Sequence, residues 1–207
     1  MVREIATIGL GANLGDPVEQ IERAVEAIDS LPLCAVCAVS GLYANPPIGP
    51  QDQPDYINAV AEIETALAPE ALLRALKGLE RAAGRSYTRH WGERMLDLDI
   101  LAFGDRKITS LGLTVPHPEI AHRHFVLAPW LEIRPDARLP DGSPLAGWLE
   151  AVAEHPLRFM RSARWQRRSD AASETGRTRL HSSDGRGDAR GNALDDDRAS
   201  TSTRSAT

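Results

Sequence analysis

Apolar and polar positions along the chain alternate between two periods, and the changes of period mark out the elements. Ile5–Leu10 is a short, mostly apolar run ending at glycine, the pattern of a buried strand. From Asp16 the period lengthens. Ile21, Ala24, Val25 and Ile28 form one stripe of a helix predicted over 17–30, with Asp16 as N-cap, Pro17 at the first helical position and Glu19 completing a capping box. Leu33–Tyr43 and Tyr56–Thr65 read as strands, the second with Ile57, Ala59, Ala61 and Ile63 on one face. Pro69 opens a second helix whose Leu72, Leu76, Leu79 and Ala83 face the core, with Gly84 as its C-terminal cap. Another strand follows up to Phe103, and Gly104-Asp105 turns the chain toward a short partner around Lys107–Thr109. Later helices are predicted near Phe125–Ile133 and Ser143–Glu154. Helices interleaved with hairpin-compatible strands predict an α+β sandwich, helices packed on a largely antiparallel sheet.

One strand breaks its own pattern. In Leu96-Asp97-Leu98-Asp99-Ile100-Leu101-Ala102, the residues Leu96, Leu98, Ile100 and Ala102 are expected on one face. Asp97 and Asp99 then share the other, roughly 6.5–7 Å apart along the backbone. Two anions on a half-buried sheet repel each other and lose hydration. A hard divalent cation with oxygen ligands relieves both, so magnesium carrying a polyphosphate is the first reading. The competing one is a strand end that faces water or local arginines.

The neighbouring segments add suitable chemistry. Arg85, Arg89 and Arg94 lie just ahead of Asp97, and a guanidinium fork pairs phosphate oxygens in two places. His117, Arg123 and Phe125 follow in a second cluster; the spacing of His117, His122 and His124 matches no familiar zinc pattern. Residues 45–58 hold four prolines, which stiffen a loop, and then place Tyr56 and Asn58 on one face of the next strand. An aromatic platform with an amide one strand step away suits a flat heterocycle, which it can stack on and hydrogen-bond at the edge. Gly9-Leu10-Gly11-Ala12-Asn13-Leu14-Gly15 tempts a dinucleotide-binding reading but carries Leu14 where the third glycine belongs, leaving a tight turn with positive φ as the simpler expectation. No phosphate-binding Gly-x-x-x-x-Gly-Lys motif is present.

Composition bounds the rest. The 207 residues fit one domain and a tail: residues 1–165 as the folded part, and 166–207 as a disordered, low-complexity segment whose only large apolar residues from Ser169 onward are Leu180 and Leu194. The net charge of −5 is uneven, because residues 161–207 carry ten Arg against seven Asp and Glu, leaving −8 on the body. A body that acidic does not hold nucleic acid on a broad face, so phosphate must be gripped by a local arginine cluster. No run of eighteen apolar residues and no signal-peptide pattern occur, from which a cytoplasmic protein is expected. Cys34-x-x-Cys37 falls in a strand pattern and is expected to be a pair of buried, unbridged thiols. Arg186-Gly187-Asp188 in the tail is read as chance.

Taken together, residues 46–58, Gly84-Arg85, Trp91-Gly92-x-Arg94-x-x-Asp97-Leu98-Asp99-Ile100 and Pro116-His117 with Arg123-x-Phe125 resemble the 6-hydroxymethyl-7,8-dihydropterin pyrophosphokinase family over about residues 4–160. The resemblance implies a ferredoxin-like fold and a step of tetrahydrofolate biosynthesis in which the terminal pyrophosphate of ATP moves to a pterin alcohol. It implies two magnesium ions on Asp97 and Asp99, and a pterin stacked between Tyr56 and Phe125, with Asn58 reading its edge beside backbone groups of Asn45, Pro47 and Ile48. Arg85, Arg94, His117 and Arg123 would bind phosphate, Trp91 would close over the site, and Ile100 and Thr114 would flank the adenine. Arg85 and Arg94 would act in catalysis with the two aspartates. The substrates are small molecules, with no nucleic acid and no membrane, and a monomer is expected. Glycines 84, 92 and 104 suggest hinges for a segment 85–91 that folds over ATP. Tyr87, His90, Glu93 and Gly112 depart from residues common in the family, with Arg89 a possible substitute for one lost charge. A two-carboxylate nucleotidyltransferase, releasing pyrophosphate rather than AMP, and a non-catalytic pterin or nucleotide binder are the competing readings.

Overall fold

The computed structural model describes residues 2–84 and 92–165. The proposed boundary at 165 and the tail 166–207 therefore lie outside the described residues, as do Arg85, Tyr87, Arg89, His90 and Trp91. The chain runs β1 (Glu4–Ala12), α1 (Pro17–Asp29), β2 (Cys34–Val39), β3 (Leu42–Asn45), β4 (Tyr56–Thr65), α2 (Pro69–Ala82), β5 (Asp97–Phe103), β6 (Ile108–Ser110), β7 (Leu113–Val115), α3 (His124–Ile133), α4 (Leu145–Ala151) and β8 (Arg158–Arg161). All pairings are antiparallel. The main sheet runs β5-β1-β4-β3-β8, with β2 also on β4. With β2 and β3 taken as one interrupted strand, this is the βαββαβ order of a ferredoxin-like sandwich.

Both faces of the sheet are covered. On one, Ile21, Ala24, Val25 and Ile28 of α1 and Leu72 and Leu76 of α2 pack on Ile8, Leu10, Ile63, Leu98 and Ile100. On the other, Val126, Leu127 and Trp130 of α3 and Leu145 of α4 pack on Val60, Leu101 and Ala102. The cap of α1 forms as expected, with Asp16 accepting the Glu19 N–H at 3.0 Å. Gly84 closes α2 with φ +88°. Among the described residues no helix is long and apolar enough to cross a membrane.

Four local expectations are corrected. The strand expected over Leu33–Tyr43 breaks at Ser40-Gly41: Ser40 keeps the ladder to Val60, while the Gly41 N–H leaves it for the Glu132 carboxylate on α3. Lys107–Thr109 does not pair with β5; β6 instead forms a separate ribbon with β7. A bulge on β5 between the residues facing Thr7 and Ile8 moves Ala102 to the α3 face beside Leu101, away from Leu98 and Ile100. Cys34 and Cys37 are unbridged as expected but half-buried, with Cys34 Sγ 3.2 Å from Thr65 Oγ1.

Candidate active site

Antiparallel pairing across three strands builds the floor of the site. Gly11 of β1 lies opposite Asn58 of β4 on one side and Asp97 of β5 on the other, and Gly9 lies opposite Asp99. Directly opposed residues point to the same face, so Asn58, Gly11 and Asp97 form a row across about 10 Å of sheet. The central member has no side chain. A Cβ on Gly11 would sit 3.0 Å from Asn58 Oδ1, and one on Gly9 3.3 Å from Leu101 Cδ2. The glycine run is strand as far as Ala12, so Gly9 and Gly11 are not turn residues, while the expected bend with positive φ falls at Gly15, φ +65°. Gly9 makes room for the Leu101 side chain, and Gly11 leaves a trough between Asn58 and the two acids, on the face that α3 covers farther along.

The acids stand at the start of β5, both partly exposed. Asp97 Oδ1 is 2.7 Å from Arg94 Nη1; Asp99 Oδ1 is 3.4 Å from Lys77 Nζ, and its Oδ2 is 4.0 Å from His117 Nε2. Burial, and then repulsion from Asp99, push the Asp97 carboxyl above its usual range despite Arg94 and Lys77. Burial holds His117 below the usual imidazole range, opposed by Asp99. Its backbone N–H bonds Leu101 O at 2.8 Å, and its Nδ1 accepts the Glu119 N–H at 3.2 Å. Among the described residues no three His, Cys, Asp or Glu side chains group as a metal site. Two carboxylates under mutual repulsion fit magnesium, which takes one or two carboxylates and fills its shell with water and phosphate; they do not fit zinc.

On the platform side, the Asn58 amide donates to Asn45 Oδ1, and Asn45 in turn donates to Pro46 O at 2.7 Å. Tyr56 Oη donates to Gly92 O at 2.8 Å. Pro47 is buried with its carbonyl taking Gln51 Nε2 at 2.8 Å, whereas Ile48 stands exposed. Arg123 lies over the Phe125 ring at 5.9 Å. The Ile100 side chain is buried in the core, so the strand offers a ligand its backbone there, while Thr114 is exposed on β7. Gly112 has φ +86° in the turn of the β6–β7 ribbon.

Two features escaped the sequence reading. Asn13, almost fully buried, donates to Gln53 Oε1 (3.0 Å) and Pro54 O (3.1 Å) and accepts the Arg94 N–H (2.7 Å), tying the proline loop to the segment before Asp97. Glu80 is buried on α2, where Leu72 and Leu76 at four-residue steps point to it as the next core position. That step was the available signal. Asn13 had none, since its partners lie 40 or more residues away.

A model of the family described as 7,8-dihydro-6-hydroxymethylpterin-pyrophosphokinase matches residues 7–135. The chain is 45% identical over 152 residues to a 2-amino-4-hydroxy-6-hydroxymethyldihydropteridine pyrophosphokinase of Haemophilus influenzae, covering 73% of this chain and 95% of that one. It is 46% identical over 144 residues to the protein of the same name from Pseudomonas aeruginosa, covering 70% and 89%. The fold is similar to that of a Plasmodium falciparum HPPK-DHPS crystal structure, with TM-score 0.58 and 14% identity over 72% of this chain; the chain spans 42% of that longer protein.

Proposed function

The chain belongs to the 7,8-dihydro-6-hydroxymethylpterin-pyrophosphokinase family, and from that premise we propose that the glycine-floored trough is where it joins ATP to a reduced pterin. The reaction is transfer of the pyrophosphoryl group of ATP to 6-hydroxymethyl-7,8-dihydropterin in folate synthesis, giving the pterin diphosphate and AMP. The hydroxymethyl oxygen forms its bond to the β-phosphorus in line as the bond from that phosphorus to the AMP oxygen breaks.

The row Asn58–Gly11–Asp97 is the observation that carries the assignment. It faces a ring-reading amide toward a charged pair across Gly11, over which, among the described residues, only Asn58 Oδ1 comes within 4 Å of where a Cβ would stand. Tyr56 and Phe125 stack the pterin, Asn58 reads its edge, and backbone groups of Asn45, Pro47 and Ile48 complete that half. Asp97 and Asp99 hold two magnesium ions, which when bound supply positive charge to the phosphate oxygens. Arg94, carried beside Asp97, and Arg123 direct donors to the polyphosphate, and Arg85 and Trp91 complete the nucleotide half. His117, whose ring stands 4.0 Å from Asp99, adds a hydrogen-bonding group for phosphate. Ile100 and Thr114 flank the adenine. Positioning and electrostatics supply most of the acceleration.

Both halves of the trough come from one chain, which supports a monomer acting on small molecules. The acidic body argues against nucleic acid, and use of ATP supports a cytoplasmic setting. Product analysis tests the reading. With magnesium, ATP and the pterin alcohol, AMP and pterin diphosphate should form in equal amounts; pyrophosphate release would instead favour a nucleotidyltransferase.

A further inference from the structure

Among the described residues, two side chains of α2, rather than another strand, finish the outer edge of β5 at Leu98. The Leu98 N–H donates to Glu80 Oε1 at 2.7 Å, and Lys77 Nζ donates to Leu98 O at 2.9 Å and to the same Glu80 oxygen at 2.7 Å. The lysine side chain is 31% exposed and could reach water. Its ammonium is instead held between a buried carboxylate and a backbone carbonyl, 3.4 Å from Asp99 Oδ1. The pattern of the sheet therefore fixes a positive charge beside one of the two acids.

We infer that Lys77 holds the position of positive charge beside Asp99 while the site is empty, so that the acid pair takes up divalent metal tightly only together with the polyphosphate. This rests on the reading of Asp97 and Asp99 as the metal-holding pair. A doubly charged ion arriving alone meets an ammonium that its own hydrogen bonds keep in place, and the repulsion weakens binding. An ion arriving with ATP brings negative charge that offsets both cations. The lysine is thus a positioning residue that sets the order in which charge enters the site.

The test measures Mn2+ binding to the full chain by electron paramagnetic resonance, with and without a non-hydrolysable ATP analogue. Lys77→Gln keeps a side-chain donor for Glu80 and Leu98 O but removes the charge; Lys77→Met, retaining the apolar stem, is the second neutral variant. Without nucleotide, either neutral variant should bind Mn2+ about tenfold more tightly than the wild type, and Lys77→Arg should match the wild type. With the analogue present, the advantage of the neutral variants should disappear. Unchanged or weaker nucleotide-free Mn2+ affinity in the folded neutral variants overturns the inference while leaving the metal reading intact. A wild type that takes up no Mn2+ even with the analogue overturns both.

Discussion

Two acidic sites on the same face of the sheet meet their charge in opposite ways. Glu62 of β4 is buried and accepts from Arg134 Nε and Nη2 at 2.6 Å each, one anion matched by one forked cation. That hydrogen bond is the main reason the Arg134 guanidinium holds its proton above the usual range. A few steps along the sheet, Asp97 and Asp99 share one face, and among the described residues the basic groups beside them, Arg94, Lys77 and the His117 ring, come from three separate segments at 2.7, 3.4 and 4.0 Å. The first site is closed by α3 and complete. At the second, the two carboxylates raise each other's energy and both stay partly exposed among the described residues. A single matched acid holds the fold together, whereas a repelling pair on the same face is, on the proposed reading, kept for chemistry.

Removing an acid of the repelling pair should have the largest effect. Asp99→Ala is expected to lower turnover at least about a thousandfold at ordinary magnesium concentrations, with little change in melting temperature. Steady-state rates with thermal melts check this, and near-normal turnover would remove the metal assignment. The floor comes next. Gly11→Ala places a Cβ against Asn58 Oδ1 and should raise the KM for the pterin roughly tenfold while leaving that for ATP near its wild-type value, since Asn58 must give way. An equal rise in both would show that the glycine serves the sheet rather than the trough.

The closed site should respond in stability instead. Arg134→Ala leaves a buried carboxylate without its fork and should cost about 1–3 kcal/mol in denaturant unfolding, discounted because Arg134 is itself half exposed, with turnover of the folded protein within about twofold of normal. Lost turnover without lost stability would collapse the distinction between the two sites. The smallest effect concerns Tyr43, also on the closed side. Burial, helped by a 2.9 Å hydrogen bond to Glu132, pushes its phenol up to about 12 from 10.0. The folded form therefore keeps a proton that the unfolded form loses: the contribution to stability is whole below pH 10 and fades as pH rises toward 12. In a spectrophotometric titration, the absorbance step missing from Tyr43→Phe should lie near pH 12; a missing step near 10 would show the contact open in solution.

The acid pair and much of the fold around it were legible in the sequence, whereas the Glu62–Arg134 match was not. The stripe and cap of α1, the two helices opened by Pro17 and Pro69, and the paired acids inside an apolar strand all follow from local period and local chemistry. Apart from the burial of Glu80, which the step along α2 signals, what escaped depended on partners distant in sequence. The break at Ser40-Gly41 exists because Gly41 bonds Glu132 on α3, and β8 has no strong period of its own and forms against β3. Gly9 and Gly11 looked like a turn because a glycine's reason is its neighbour; here Leu101 and Asn58 arrive from other strands. Nothing local names the partners of Lys77 and Glu80, which only the edge of β5 at Leu98 supplies.

A crystal structure of the protein with magnesium, a non-hydrolysable ATP analogue and the pterin alcohol tests the central claim most directly. The account predicts cations about 2.0–2.1 Å from carboxylate oxygens of Asp97 and Asp99, with the pterin ring beside Asn58 over the glycine floor. Carboxylates turned away from every cation, or a nucleotide seated off this face of the sheet, would contradict it.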